Sequence, residues 1–118
     1  MANINVPVKP TPGIMVAVEK RLSHTTINRL NIPDDGDIVL PQRRMVVIGT
    51  TSFEIEDVDY IPIDEDQIHL MVERGAELLP AIRNTPYRGI YMSSRPLISA
   101  GMEARSLART FKCYDHED

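Results

Sequence analysis

The chain has 118 residues, of which 42% are hydrophobic and 25% are charged, so it is long enough for one globular domain with a core. Its formal net charge is −4, and aromatic residues make up only 5%. These values argue against a nucleic-acid-binding protein, which needs a basic face or an aromatic stacking platform. The single cysteine, Cys113, excludes an intrachain disulfide and indicates a reducing, cytoplasmic setting.

The first half of the chain predicts short strands joined by tight turns. Residues 1–12 are rich in proline and indicate an extended lead-in or linker, whereas the apolar run 13–18 predicts a buried strand. The β-branched segment 24–32 predicts a second strand, and the Pro-Asp-Asp-Gly-Asp sequence after it predicts a turn. Two further strands are predicted at 38–41 and 45–51, and the short connection between them favours a hairpin.

The second half predicts one long helix followed by two strands. The acidic segment 54–66 is loop-like, and Asp64 is a suitable N-cap for the helix. Apolar or small residues then recur at a spacing of three to four: Ile68, Met71, Val72, Gly75, Leu78, Leu79 and Ile82. Strands are predicted at 87–94 and 108–116, with Cys113 as a buried core thiol.

This order of elements predicts the fold class and the domain organisation. Hairpin-length connections and a single long helix favour an α+β fold, with a mostly antiparallel β-sheet and the helix packed on one face. We expect residues 13–118 to form a single domain. Gly75 on the apolar face of the helix is expected to allow close packing on the sheet.

The sequence lacks a complete catalytic apparatus. It has no glycine-rich dinucleotide-binding motif, no Walker loop and no Ser-His-Asp or Cys-His set. The histidines, His24, His69 and His116, are too scattered to predict a metal site. We therefore assign no catalytic residue, no metal and no cofactor to this chain alone.

Arg95 is unusual in its strand because a permanently charged guanidinium is costly to bury without partners. It lies between Met92 and Leu97 in a segment that otherwise looks buried and is followed directly by Pro96. From the residues alone two interpretations stay open. Arg95 either points to the solvent face or pairs with a structural carboxylate, or it projects into a pocket and holds an anionic ligand through two parallel hydrogen bonds.

Two segments of the chain resemble the flavin-dependent glycerol-3-phosphate dehydrogenases, most of all the A subunit of the anaerobic form. They are DGDIVLPQRRMVVIGTTS at 35–52 and YRGIYMSSRPLI at 87–98. The G-T-T-S and S-x-R-P-L pieces are specific only together, in this order around a helix. The resemblance covers most of residues 12–116. It implies the substrate-binding sheet domain of a longer enzyme, lying over a flavin that other segments hold.

The resemblance also implies roles for four residues. Arg95 matches the family arginine that faces the phosphate end of the substrate, and Arg109 matches a second arginine of the same pocket. Two arginines on nearby strands suit a dianionic phosphate. Thr50 and Thr51 match the G-T-T segment and are expected beside the pocket or the flavin, although a packing or turn role is equally open.

The chain departs from the family pattern at two places. Met92-Ser93-Ser94 replaces a run that usually contains glycine before the arginine. Pro12 precedes Gly13 where some members of the family carry a lysine. For that reason we assign no catalytic base.

The resemblance implies a function for the parent enzyme and a partial role for this chain. The parent is expected to oxidise sn-glycerol 3-phosphate to dihydroxyacetone phosphate in glycerol metabolism, with FAD as cofactor and a quinone as acceptor. The chain is expected to bind substrate and to be inactive by itself. Expected partners are glycerol 3-phosphate or a similar small anion, the parent's flavin domain and other dehydrogenase subunits, but not nucleic acid. The expected location is cytoplasmic, with the parent peripheral at the inner face of the cell membrane.

Two alternative functions stay open. The chain could be a stand-alone module that binds an anion or another protein through the same sheet. It could also be the substrate domain of a related flavin oxidoreductase that acts on 2-hydroxy or amino acids, with the arginines holding a carboxylate.

Overall fold

The computed structural model describes residues 8–32, 34–57, 59–98 and 113 of the chain. The strands are β1 (Val8–Val18), β2 (Ile27–Asn28), β3 (Ile38–Gln42), β4 (Met45–Gly49) and β5 (Tyr87–Ile98). Helix α1 (Glu65–Leu78) and a 3-10 helix (Pro80–Asn84) lie between β4 and β5. The strand predicted at 108–116 lies outside the described residues, apart from Cys113.

All five strands form one antiparallel sheet in the order β2-β3-β4-β1-β5, and α1 packs on one of its faces. This confirms the predicted α+β class. The core lies between α1 and the sheet, because alternate residues of each strand point to the helix. Its fully buried members include Ile14, Val16, Val18, Val39, Val46, Ile48, Met71 and Ile82.

The two longest strands, β1 and β5, are neighbours and pair along almost their whole length. Their register runs from Val8 opposite Ile98 to Ala17 opposite Gly89. Both strands are longer than the sequence indicates, since β1 begins at Val8 rather than Gly13 and β5 continues past Ser94. Each strand supplies the other's hydrogen-bond partners, so extended segments that contain proline are held in the ladder.

The strand predicted at 24–32 is reduced to Ile27–Asn28. Its pattern continues to Leu30 and Ile32, but these side chains are 97% and 88% exposed and therefore contribute no burial. Arg29 N still donates to Asp37 O at 3.0 Å in the register of the β2–β3 ladder, but Asn31 N then donates to Arg29 O at 3.0 Å, so the chain turns after Arg29. Alternation alone does not maintain a strand where neither face is covered.

The long helix predicted after Asp64 begins as expected and ends early. The Asp64 side chain accepts a hydrogen bond from Asp66 N at 2.9 Å, as an N-cap does. Helix α1 ends at Leu78, and Leu79 is extended. Pro80 lacks an N–H and disfavours a helical residue before it, so the apolar pattern continues in a 3-10 helix. Among the described residues, no helix is both long and apolar enough to cross a membrane.

Candidate functional site

The sheet has one face covered by α1 and one face that α1 leaves open. Ile14 points to the helix, so Met15, its neighbour on β1, points to the open face. Residues directly opposite each other in an antiparallel ladder share a face. Tyr91 lies opposite Met15, and Arg95 lies opposite Thr11 farther along the same ladder. Arg95 therefore projects on the open face.

The segment that follows β4 runs back along the first half of β1. Thr51 N donates to Ile14 O, and Phe53 N donates to Pro12 O, each at 3.2 Å. The Thr51 hydroxyl accepts a hydrogen bond from Ile14 N at 2.9 Å, and its side chain is only 1% exposed. These bonds place Thr50 and Thr51 beside β1, close to the part of the ladder that carries Arg95.

Arg95 is half-buried and is tied to the backbone of both neighbouring segments. Its Nη2 donates to Thr51 O at 2.8 Å and, more weakly, to Pro12 O at 3.5 Å. A guanidinium carries five N–H donors in a planar fork, so two bonds from one nitrogen set the orientation of the whole group. The structure therefore fixes the position of a permanent cation on the open face.

Gly13 makes this arrangement sterically possible. A Cβ at this position would lie 2.3 Å from Arg95 Nη2, 2.5 Å from Thr51 O and 2.6 Å from Thr50 Oγ1. Any side chain here would displace the guanidinium or the Thr50–Thr51 backbone. We call Gly13, Thr50, Thr51 and Arg95 the Arg95 cluster.

The Arg95 cluster brings together three of the four site residues predicted from the sequence. Thr51 is buried, its hydroxyl accepts from Ile14 N, and its carbonyl accepts from Arg95. Arg109 lies outside the described residues, so its place in the pocket stays a prediction. Sequence reasoning missed Gly13, although an isolated glycine in a strand can signal the close approach of another group.

The open face beside the cluster is apolar and partly exposed. Met15 on β1 is 36% exposed and Tyr91 on β5 is 47% exposed. Ile38 and Leu40 on β3 share this face, because their partners on β4 are Gly49 and Val47. They are 41% and 39% exposed. These side chains form an apolar surface that continues from the Arg95 cluster.

The pKa shifts that can be assigned lie on the helical side of the molecule. Arg83 on the 3-10 helix forms two hydrogen bonds to the Glu73 carboxylate of α1, at 2.7 and 3.1 Å. These bonds lower the pKa of Glu73, and the carboxylate in turn raises the pKa of Arg83. Both side chains are exposed, so the pair joins two helices and forms no part of the candidate site.

Other candidate chemistry is limited in the part of the chain that the structure describes. It holds no group of three or more His, Cys, Asp or Glu side chains suited to a metal ion. Cys113 is exposed rather than a buried core thiol, so that prediction was wrong. None of the described residues packs over its sulfur closely enough to bury it.

The chain is similar to curated subunits of anaerobic glycerol-3-phosphate dehydrogenases. It is 31% identical over 121 aligned residues to the A1 subunit of this enzyme from Haloferax volcanii. The corresponding A subunits of Haemophilus influenzae and Escherichia coli K12 are 27% and 26% identical over the same length. The chain is a homologue of the A subunit of anaerobic glycerol-3-phosphate dehydrogenase. This confirms the resemblance carried by the G-T-T-S and S-x-R-P-L segments.

The similarity to these dehydrogenase subunits involves nearly all of this chain and a small part of each relative. The alignments cover 99% of the chain and 21–22% of the relatives. The chain therefore spans about a fifth of the length of the curated relatives it matches. No family model matches the chain, and no solved structure matches it.

Proposed function

We propose that the chain is the substrate-binding domain of an FAD-dependent glycerol-3-phosphate dehydrogenase. The observation that carries this proposal is Arg95, a permanent cation oriented by two backbone carbonyls on the open face of the sheet. Homology to the A subunit of anaerobic glycerol-3-phosphate dehydrogenase supports the reaction class. The chain contributes binding and orientation, not proton transfer.

Arg95 binds the phosphate end of glycerol 3-phosphate in this proposal. A guanidinium offers parallel N–H donors that match phosphate oxygens, and such charge-assisted bonds are stronger than neutral ones. Glycerol, which lacks the phosphate, gains none of this energy. Thr51 and Gly13 act through Arg95: the Thr51 carbonyl holds Nη2, and the missing side chain at Gly13 leaves the guanidinium its space. Arg109 is proposed as a second cation of the same pocket.

The open face could cover one side of a flavin ring, but its described residues offer no binding site for the rest of the cofactor. Its exposed apolar residues, Met15, Tyr91, Ile38 and Leu40, can cover an aromatic ring system. The described residues contain no glycine-rich strand-to-helix loop for the dinucleotide phosphates. FAD is therefore assigned to the flavin domain of the parent, and the exposed apolar residues of this face would cover one side of its ring system.

The proposed reaction is the oxidation of sn-glycerol 3-phosphate to dihydroxyacetone phosphate. When bound, flavin would supply the two-electron oxidation of the secondary alcohol, with a quinone as the proposed final acceptor. Binding of the phosphate at Arg95 fixes one end of the substrate and so orients C2, the secondary-alcohol carbon that is oxidised. Other dehydrogenase subunits are proposed partners. The proposed location is cytoplasmic, with the parent peripheral at the inner face of the membrane.

Replacing Arg95 in the complete enzyme tests the proposal. We expect Arg95→Ala to raise KM for glycerol 3-phosphate by about 10- to 100-fold, since a hydrogen bond to a charged group contributes roughly 1.5–3 kcal/mol. Arg95→Lys keeps the charge but loses the planar fork of donors, so its KM should lie between those of the unchanged enzyme and Arg95→Ala. Arg83→Ala is the control, because Arg83 is an exposed arginine on the helical side. An unchanged KM in Arg95→Ala would contradict the assignment.

The same enzyme separates the proposed substrate class from carboxylate substrates. Glycerol 3-phosphate should be oxidised, and 2-hydroxy or amino acids of similar size should not. If the enzyme oxidised the carboxylate substrates preferentially, the phosphate assignment would be wrong, and the parent would be a related flavin oxidoreductase of 2-hydroxy or amino acids.

A further inference from the structure

A cleft of about 500 Å³ lies at the other end of the sheet from the Arg95 cluster. We call it the hairpin cleft, and it is lined by Glu19, Arg43, Arg44, Met45 and Arg88. It forms where β1 ends, where β5 begins and where the β3–β4 hairpin turns. Arg88 and Arg95 lie seven residues apart on β5. At about 3.3 Å per residue they are roughly 23 Å apart, so the two places are distinct.

The hairpin cleft carries an excess of positive charge. Arg43, Arg44 and Arg88 line it, whereas Glu19 is the only carboxylate among the described residues of its lining. Glu19 Oε1 contacts Arg88 Nη1 at 2.6 Å and so holds that guanidinium at the wall. Arg43 and Arg44 form no ion pair with any residue that the structure describes. Local net charge is therefore positive in a chain whose overall net charge is −4.

Backbone geometry gives a second, independent reason to assign a role to Arg43. Its φ is 51°, in the left-handed region that glycine and asparagine adopt far more easily than arginine. The two-residue turn between Gln42 and Met45 therefore does not itself favour an arginine. Arg21 Nη1 donates to Arg43 O at 3.2 Å and supports the turn from outside. Residues kept in unfavourable backbone regions are concentrated at functional sites.

The shape of the cleft indicates the kind of ligand. Its volume is within the range of small-molecule pockets. Protein–protein interfaces commonly involve about 20–30 residues a side, far more than the few that line this cleft. Met45 is half-buried and adds an apolar wall beside the guanidinium groups. Arginine forks are matched to phosphate oxygens.

We propose that the hairpin cleft binds a small molecule that carries more than one phosphate group. Arg43 and Arg44 supply the positive charges that contact the phosphate groups. Arg88, which is held in place by its ion pair with Glu19, forms one wall of the cleft. This site is separate from the proposed substrate site and does not depend on it.

Calorimetric titration of the full chain with pyrophosphate tests the proposal. Pyrophosphate should bind, and added salt should weaken its binding because the contacts are exposed charges. Arg43→Asn should weaken binding by about tenfold, as expected for the loss of a charge-assisted contact. The same variant should keep or raise the thermal midpoint, because asparagine accepts the backbone conformation better. Arg44→Gln should also weaken binding.

One control variant and one locating variant separate this site from the rest of the molecule. Arg83→Gln removes an exposed arginine elsewhere and should bind pyrophosphate as the unchanged chain does. Arg95→Gln removes the proposed substrate anchor, and the binding that depends on Arg43 and Arg44 should persist in it. A chain that does not bind pyrophosphate, or binding that survives Arg43→Asn and Arg44→Gln, overturns the proposal. Loss of binding in Arg95→Gln places the anion at the Arg95 cluster and also overturns it. If a hexaglutamate peptide bound more tightly than pyrophosphate, the proposed phosphate ligand would be wrong, and the cleft would be assigned to an acidic protein partner instead.

Discussion

At the scale of single residues, the Arg95 cluster depends as much on the absence of a side chain at Gly13 as on the arginine itself. A cation in an apolar strand is visible in the sequence because its charge is permanent. What it contacts is not visible, since Thr51 and Gly13 come from different segments. Sequence reasoning therefore selected Arg95, Thr50 and Thr51 but did not select Gly13.

A matched pair of glycine substitutions tests this cluster. Gly13→Ala should lower the free energy of unfolding by about 1–3 kcal/mol, because the new methyl group overlaps Arg95 Nη2 and the Thr51 carbonyl. Gly89 lies on β5, and a Cβ there meets nothing within 4 Å. Gly89→Ala should change stability little, or raise it by about 0.5–1 kcal/mol, since glycine is unfavourable in a strand interior.

Denaturant unfolding of both variants measures the difference. In the complete enzyme, Gly13→Ala should also raise KM for glycerol 3-phosphate, since the guanidinium must move. If the two variants were equally stable, the close approach of Arg95 and Thr51 to β1 would not require glycine at position 13.

At the scale of elements, helix α1 shows which features were predictable. Its N-cap and its apolar face follow local rules, so Asp64, Ile68 and Met71 could be assigned from the sequence. Its C-terminus was predicted too late because the apolar spacing continues through Ile82. Pro80 ended the helix, and a stronger weight on that proline would have placed the end correctly.

The contact between α1 and β4 should be sensitive to Gly75. A Cβ there would lie 3.0 Å from both Cδ1 and Cγ2 of Ile48, which is fully buried. Gly75→Ala should gain about 1 kcal/mol of helix propensity but lose roughly 1–3 kcal/mol to crowding. We therefore expect a net loss of about 1 kcal/mol in the free energy of unfolding.

A double-mutant cycle with Ile48→Val identifies the cause of that loss. Valine lacks Cδ1 but keeps Cγ2, so in the Ile48→Val background the loss of stability caused by Gly75→Ala should become smaller. Additive effects of the two substitutions would show that Gly75 and Ile48 do not limit each other's packing.

At the scale of the whole molecule, the two faces of the sheet have different surroundings. One face is buried under α1 and the 3-10 helix. The other exposes apolar side chains that end at a fixed cation. In the proposed function this open face is the part of the domain that meets the flavin domain.

A charge placed on the open face tests that arrangement in the complete enzyme. Leu40→Glu should reduce both bound flavin and activity, because burying a carboxylate against a partner domain costs several kcal/mol. Leu70→Glu on α1 is the control, since Leu70 is 37% exposed and Leu40 is 39% exposed. Flavin absorbance per protein and turnover measure the effect. Equal behaviour of the two variants would show that no domain covers this face.

The sequence by itself determined the α+β class, the start of the helix, the hairpin and the resemblance to the dehydrogenase A subunits, because these depend on local periodicity, capping and short motifs. It also singled out Arg95, since a charge that cannot be lost must be accommodated. Only the tertiary structure decided the length of β1 and β5, the small size of β2 and the approach of Gly13 and Thr51 to Arg95. These features depend on which segments become neighbours in the sheet. That choice is made by long-range pairing and burial, and no single segment contains the information for it.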